Sequence, residues 1–226
     1  THDTLVLERF FDETGGQQLI LHGPFGSRIN RAFGLALRKR FCIGFGFELQ
    51  AAANEEALLI SLGPMHSFPL TDVWEFLHPK TVRDVLIQAM LPAPLFQSRW
   101  RWNATRSLMV ERFRGGKRVP APLLRFRADD ALAGAFPAAQ ACPETLSGGP
   151  IEVPYDHPIV AQTVDDSLHE AMDYDGLHRL LTRIQGGDVQ LIECERSEPS
   201  PFAASILHAM PYAFLDDAPL EERRTQ

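Results

Sequence analysis

The chain has 226 residues and a net charge of −7; 45% of its residues are hydrophobic and 23% are charged. This composition is typical of a globular protein and excludes a disordered or fibrous one. No apolar run approaches 18 residues, so we expect no membrane-spanning helix and no membrane partner. Cys42, Cys142 and Cys194 form no CxxC pair, which argues against a cysteine metal site and predicts a reducing, cytoplasmic setting.

The first third of the chain predicts an antiparallel sheet with one helix on one face. Alternating apolar residues bounded by turn residues predict strands over 4–11, 17–22, 46–52 and 57–62. Ser27 is a suitable N-cap for a helix from Arg28 to about Phe41. The resulting order is ββαββ.

From Phe68 onward the sequence predicts mainly helices. Prolines precede several of them, and we expect helices near 70–78, 80–91, 94–113, 122–136, 157–172, 175–185, 200–210 and 218–224. A long loop is expected over 137–156 and a short strand over 188–194. The fold class is therefore α+β, with an antiparallel α/β sub-domain over 1–68 and a mainly helical one over 69–226. The start at Thr1, almost directly before a strand, suggests one composite module of a larger protein.

Charge is distributed unevenly. Residues 1–127 contain 17 Lys or Arg and 11 Asp or Glu, whereas residues 128–226 contain 5 and 18. Residues 28–40 hold five cations and no acid, and residues 99–127 hold nine cations and the single acid Glu111. This pattern predicts one surface suited to an anionic polymer, which the net charge alone does not reveal.

The sequence contains no recognisable motif for catalysis or nucleotide binding. The segment Gly115-Gly116-Lys117-Arg118 lacks the upstream glycine and the following Ser or Thr of a phosphate-binding loop, and GxGxxG, GxSxG and HExxH patterns are absent. The nearest approach to a catalytic cluster is Asp165, Asp166, His169, Glu170 and Asp173 on one predicted helix. A solvated acidic helix face explains this group more simply, so we assign no catalytic residue, metal ligand or cofactor to the chain.

The first predicted helix carries one cationic face. On a helical wheel this face consists of Arg28, Arg31, Arg38 and Lys39. Because like charges repel, four cations without a local acid favour binding of an external anion. Gly26 and Ser27 would add backbone N–H donors for a phosphate. Salt bridges to the acidic half of the same chain are an equally good explanation.

The second basic segment spans residues 99–120. Its predicted nucleic-acid ligands are Arg99, Trp102, Asn103, Arg106, Arg112, Arg114, Lys117 and Arg118. Arg99, Asn103 and Arg106 share a helical stripe, and Trp102 lies beside it, so cations that neutralise phosphates would adjoin a ring that can stack on a base. We expect Trp100 in the core. The loop around Gly115-Gly116 is expected to be exposed.

These segments belong to long strings that resemble one helicase family. The chain is similar over nearly its whole length, in the same order, to the DEAD/H-associated C-terminal region of Lhr-type (large helicase-related) superfamily 2 DEAD/DEAH-box helicases. The strings that carry the resemblance are LVLERFFDETGGQQLILHGPFGSRINRAFGLALRKRF (5–41), FELQAA (47–52), LISLGPMHSFPL (59–70), FQSRWRWNATRSLMVERFRGGKRVP (96–120), DHPIVAQTVDDSLHEAMDYDGL (156–177), EPSPFAASIL (198–207) and YAFLDDAPLEERR (212–224).

The resemblance implies a module that follows two RecA-like motor lobes and a winged helix. Members of this family translocate 3′ to 5′ on single-stranded DNA, unwind duplexes that include RNA:DNA hybrids, and act in DNA repair. The resemblance places ATP and magnesium in the motor lobes, so this chain is expected to lack ATPase activity. It supplies no catalytic residue for this sequence.

Three hypotheses follow. In the first, the chain is an accessory module of an ATP-dependent helicase that binds single-stranded DNA or an RNA:DNA hybrid through its cations and packs against the motor lobes. In the second, it is a protein-interaction or structural brace without nucleic-acid contact, and burial of Arg28 and Arg38 against carboxylates would favour it. In the third, it is a metal-dependent hydrolase that uses His169 and its acidic neighbours.

Overall fold

The computed structural model describes residues 3–12, 15–45, 49–63, 68–140, 149–208 and 213–215. Tertiary contacts divide the chain into two units. Unit 1 comprises Thr1–Ala89 and Met172–Gln226, and unit 2 comprises Met90–Ala171. The α+β fold is confirmed, but this division differs from the expected boundary at residue 68 because the C-terminal segment returns to the N-terminal sheet.

Unit 1 is built on a five-stranded mixed sheet. Its strands are β1 (Thr4–Phe11), β2 (Gln17–His22), β3 (Gln50–Ala53), β4 (Ala57–Gly63) and β7 (Gln190–Glu195), in the order β3-β4-β2-β1-β7. β1, β2, β4 and β3 pair antiparallel along this order, and β7 pairs parallel with β1. The predicted antiparallel sheet is thus extended by one parallel strand.

Both faces of this sheet are covered. Helix α1 (Ser27–Phe45) contacts β3, β4 and helix α6 (Tyr174–Gly186). Leu58 of β4 lies beside α1, where a Cβ added to Gly34 would be 3.8 Å from the Leu58 Cβ. On the opposite face, Ile20 and Leu59 form a core cluster with Ala203 and Ile206 near α7 (Ala204–Leu207). The period-2 alternation of the strands therefore separates two apolar layers.

Glu8 is buried on β1 and accepts three hydrogen bonds. Ser200 donates both its backbone N–H and its hydroxyl at 2.6 Å, and His22 Nε2 lies 2.7 Å from the carboxylate. Burial raises the pKa of the Glu8 carboxyl, but the hydrogen bonds from Ser200 and His22 outweigh this effect and hold the pKa below its usual value. The carboxylate links β1, β2 and the segment that follows β7.

The remaining elements of unit 1 are helical. They are a 3-10 helix over Leu70–Glu75, α2 (Val82–Met90), which reaches the unit boundary, and a 3-10 turn over Pro201–Ala203 that leads into α7. The helix expected over 70–78 is therefore a 3-10 helix, and the one expected over 200–210 is short. The strand expected over 46–52 lies at Gln50–Ala53 in the described part, residues 46–48 being outside it, as is the helix expected over 218–224.

Unit 2 is a helical unit with one short hairpin. Its helices are α3 (Pro94–Arg106), α4 (Ala121–Ala135) and α5 (Pro158–Asp166), and α5 continues into a π-helical turn over Ser167–Ala171. Each helix has a proline in its first turn, where the missing N–H is not needed. Between α3 and α4, β5 (Phe113–Arg114) and β6 (Lys117–Arg118) form an antiparallel pair.

Buried aromatic residues hold unit 2 together. Trp100 is fully buried, as expected, and its indole N–H donates to the carbonyl of Ala128 at 2.7 Å. The rings of Phe96 and Phe136 pack edge to face with centroids 6.5 Å apart. These contacts join α3 to α4, and α3 also packs against α5. Among the described residues, no helix is both long and apolar enough to cross a membrane.

The helix expected over 94–113 is wrong beyond Arg106. Ser107 is the C-cap of α3, and the chain then turns into the β5–β6 hairpin. Gly115 (φ 57°) and Gly116 (φ 74°) form the two-residue turn, and positive φ at both central positions is the geometry of a type I′ hairpin. The Gly-Gly pair therefore favours a hairpin over continuation of the helix.

Candidate nucleic-acid interface

Two of the four predicted cations of α1, Arg28 and Arg38, form hydrogen bonds within unit 1. Arg28 Nη2 donates to the Met172 carbonyl at 2.9 Å, and Arg38 Nε donates to the Leu49 carbonyl at 2.5 Å. Arg31 and Lys39 are half-buried. These hydrogen bonds tie α1 to the chain before β3 and to the chain before α6. These two hydrogen bonds go to backbone carbonyls, and the choice between strand binding and a structural brace stays open.

The residues of the stripe predicted on α3 lie in different environments in the structure. Arg99 Nη1 lies 2.9 Å from Glu170 Oε2 in an ion pair, and Asn103 is only 7% exposed. The Asn103 amide donates to Asp166 Oδ2 at 2.8 Å and to Thr163 Oγ1 at 3.2 Å. Asn103 is therefore part of the α3–α5 packing. The expectation that Asn103 is a surface ligand of nucleic acid is wrong, because its side chain is buried. A helical wheel gives the angle of a residue but not which neighbour covers it.

Trp102 and Arg106 remain on the outer side of α3. Trp102 is 68% exposed and Arg106 is exposed. At i and i+4 they are neighbours on one helix face. The two tryptophans of this helix thus have opposite environments, because Trp100 is in the core and Trp102 faces solvent.

The β5–β6 hairpin presents the densest group of exposed cations in the described part of the chain. Residues 111–118 are all exposed. The strand register sets Arg114 opposite Lys117 and Phe113 opposite Arg118, and opposite residues share one face of a strand pair. One face therefore holds two cations side by side, and the other holds an aromatic ring beside a cation.

We call Trp102, Arg106, Arg112, Arg114, Lys117 and Arg118 the outer basic surface of unit 2. All six side chains are exposed, and Glu111 is the single acid among residues 99–127. Arg114 and Lys117 are like charges in directly opposite positions, an arrangement that destabilises a strand pair in the absence of an anion. This surface can hold phosphates by charge and a base by stacking on Trp102.

Sequence reasoning missed several exposed apolar residues of unit 2. They are Leu108, Met109, Phe113, Leu123 and Phe126. The alternation of Phe113 with arginines could have marked it, since an aromatic residue flanked by charges seldom belongs to a core. Nothing in the sequence marked Leu108 as exposed, because a leucine after a helix is ordinarily expected in the core.

The residues considered for metal binding do not converge on one point. His169 Nε2 is 3.7 Å from Asp165 Oδ1, Glu170 pairs with Arg99, and Asp166 accepts hydrogen bonds from Asn103 and Gln162. In unit 1, Asp173 caps α6 by accepting the Gly176 N–H at 2.8 Å. Within the described ranges, no group of three or more His, Cys, Asp or Glu side chains could hold a metal ion.

The model of the family described as DEAD/H associated matches residues 1–203. The chain belongs to the DEAD/H-associated family. It is 30% identical over 223 residues to the Lhr helicase/uracil glycosylase of Escherichia coli, with 97% of this chain and 13% of that protein covered. It is 31% identical over 226 residues to the Lhr helicase/probable uracil glycosylase of Mycolicibacterium smegmatis, with 98% of this chain and 14% of that protein covered.

A solved relative has the same fold. The structure of Mycobacterium smegmatis helicase Lhr bound to ssDNA and AMP-PNP is similar with a TM-score of 0.75 and 29% sequence identity, covering 90% of this chain and 24% of that one. This DEAD/H-associated chain therefore spans about an eighth to a quarter of the length of these relatives. It corresponds to one region of Lhr helicase homologues, and the resemblance expected from the sequence is confirmed.

Proposed function

We propose that this chain is the accessory module of an ATP-dependent, Lhr-like 3′–5′ helicase. In this role it contributes to binding of a single strand, as DNA or within an RNA:DNA hybrid, and packs against the RecA-like and winged-helix domains of the parent. Membership of the DEAD/H-associated family supports the helicase role. The relative that was solved with ssDNA and AMP-PNP supports the binding of a single strand.

The observation that carries this proposal is the opposition of the exposed side chains of Arg114 and Lys117 across the β5–β6 pair of unit 2. The same unit carries the exposed ring of Trp102. Like charges directly opposite each other cost stability, and a phosphate between them removes that cost. Arg28, Arg38 and Arg99 already have partners within their units. The strand contact is therefore assigned to the outer basic surface of unit 2, and the cations on α1 have a mainly structural role.

ATP and magnesium belong to the parent enzyme in this proposal, not to this chain. The Gly-Gly-Lys segment forms the turn of a β-hairpin, whereas a phosphate-binding loop connects a strand to a helix N-terminus. The segment thus has neither the loop length nor the helix dipole needed to wrap a triphosphate.

A second candidate function is a brace that contacts other proteins or domains and no nucleic acid. The observation in its favour is the outer side of α4. Ala128 and Leu132 are on its buried side, and Phe126, nearly opposite on the helix, is 70% exposed. A helix with apolar residues on both sides suits burial between two protein surfaces.

The test is fluorescence anisotropy of this chain with a labelled single strand across a salt series. The variant R114E/K117E reverses the opposed cations. Its matched control is K80E/R83E, which reverses two exposed cations of unit 1 and changes the net charge by the same amount. Each lost phosphate contact on a single strand lowers the magnitude of the salt slope by about 0.7, so we expect a fall of about 1.4 for R114E/K117E and little change for the control.

Equal effects of the two variants would show that only net charge matters and would overturn the assignment to the hairpin. No binding by the unaltered chain at low salt would favour the brace. Binding whose salt slope falls only with R114E/K117E would support the proposal.

A further inference from the structure

Leu108 has an unusual backbone conformation. Among the described residues, it is the one non-glycine residue with a positive φ, at 63°. It follows Ser107, the C-cap of α3, and therefore occupies the C′ position that glycine or asparagine usually takes. A leucine in this left-handed region costs free energy because its Cβ crowds the backbone.

Packing within unit 2 does not explain this cost. The Leu108 side chain is 81% exposed. The turn is closed by backbone hydrogen bonds, from Leu108 N–H to the Thr105 carbonyl at 3.3 Å and from Val110 N–H to the Ala104 carbonyl at 2.9 Å. Val110, two residues later, is buried and anchors the chain. Glycine would make the same turn with less strain, so the leucine side chain requires another explanation.

The residues before and after Leu108 in the chain suit one kind of ligand. Trp102 and Arg106 are about 6 Å apart along the axis of α3, and Leu108 follows where the helix ends. Arg112 and the basic hairpin come next along the chain. In chain order, an exposed apolar side chain thus follows a ring that can stack and precedes a row of cations. This order matches a ligand with alternating apolar faces and negative charges, which is a strand of nucleobases on a phosphate backbone.

We propose that Leu108 is a wedge that inserts between two adjacent bases of the bound strand. The base on one side stacks toward Trp102, and the cations of the hairpin hold the phosphates on the other side of the step. The wedge unstacks a single base step and so fixes the register of the strand on α3. This inference rests on the proposed function, because it requires a strand on the outer basic surface of unit 2.

The experiment uses this chain with a single strand that contains 2-aminopurine, whose fluorescence rises when the base is unstacked. Leu108→Ala removes the wedge, and Leu108→Met restores an apolar side chain of similar length. The matched control is Phe202→Ala, since Phe202 of unit 1 is also 81% exposed. Leu108→Gly tests the strain separately through the melting temperature.

We expect the strand to gain 2-aminopurine fluorescence with the unaltered chain and to lose this gain with Leu108→Ala, whose Kd rises about fivefold to tenfold. Leu108→Met is expected to keep the fluorescence gain and the Kd of the unaltered chain, and Phe202→Ala is expected to change neither quantity. Leu108→Gly melts a few degrees higher because it relieves the positive φ, yet it loses the fluorescence gain.

If Leu108→Ala binds with unchanged affinity and fluorescence while R114E/K117E binds weakly, the wedge is wrong and the proposed function stands. Leu108 would then be assigned to contact with another protein surface. If the unaltered chain binds no strand at low salt, both proposals fail. A gain of fluorescence that Phe202→Ala also abolishes would likewise overturn the wedge.

Discussion

At the scale of single residues, the two tryptophans of α3 lie in opposite environments. They are two positions apart, which on a helix corresponds to about 200° and therefore to nearly opposite sides. Trp100 donates a hydrogen bond inside unit 2, whereas the Trp102 ring is open to solvent. Substitution of each residue therefore tests a different property of the same helix.

Trp100→Ala is expected to lower the free energy of unfolding by about 3–5 kcal/mol, because it opens a cavity in the core. Trp102→Ala is expected to change it by less than about 0.5 kcal/mol and to weaken strand binding by about 1–3 kcal/mol through lost stacking. Urea unfolding and anisotropy measure the two quantities. A loss of stability in Trp102→Ala similar to that in Trp100→Ala would contradict its exposed position.

At the scale of elements, local patterns predicted well and distant partners did not. β1, β2, β4 and α1 follow from alternation and helical periodicity within short windows. The parallel partner of β1 lies 186 residues away in the chain, between Thr4 and Gln190, and no local pattern specifies such a pairing. The burial of Asn103 was missed for the same reason, because its cover comes from Asp166 on another helix.

Glu8 gives a pH dependence to the junction of β1, β2 and the segment after β7. Its folded pKa lies below its usual value, so the stability it contributes is present above the unfolded pKa of about 4.5 and is lost as the pH falls toward the folded value. Glu8→Gln is expected to lower stability at pH 7 by about 1–3 kcal/mol and to flatten the decline between about pH 5 and pH 3.

Urea unfolding at several pH values from 7 to 3 measures this effect. Glu75→Gln is the control, since Glu75 is an exposed carboxyl of the same unit. Parallel pH profiles for Glu8→Gln and the unaltered chain would show that the Glu8 carboxylate is not selectively stabilised by folding.

At the scale of the whole molecule, unit 1 is assembled from both ends of the chain. β7 pairs with β1, and Ile206 belongs to the core cluster that contains Phe10 and Ile20. The segment over 201–207 thus covers one face of the N-terminal sheet. The division of the sequence expected at residue 68 did not capture this return, since composition changes along the chain while the core is shared between distant segments.

Ile206→Ala is expected to destabilise unit 1 by about 2–5 kcal/mol because the side chain is buried in that cluster. Phe202→Ala in the same segment should change stability by less than about 0.5 kcal/mol, since that ring is exposed. Hydrogen exchange of β1 and β2 amides reports on unit 1 directly. Equal protection in the two variants would mean that this segment is not part of the cooperative unit.

The pairing of β1 with β7 also has a consequence for synthesis on the ribosome. At about 5–20 residues per second, the 186 residues between Thr4 and Gln190 take on the order of 10–40 s to be translated. During that time β1 has an open hydrogen-bonding edge, which is a site for unwanted strand pairing. Residues 90–171 have their own core and are complete before β7 emerges, so the middle of the nascent chain can fold while its beginning waits for a partner.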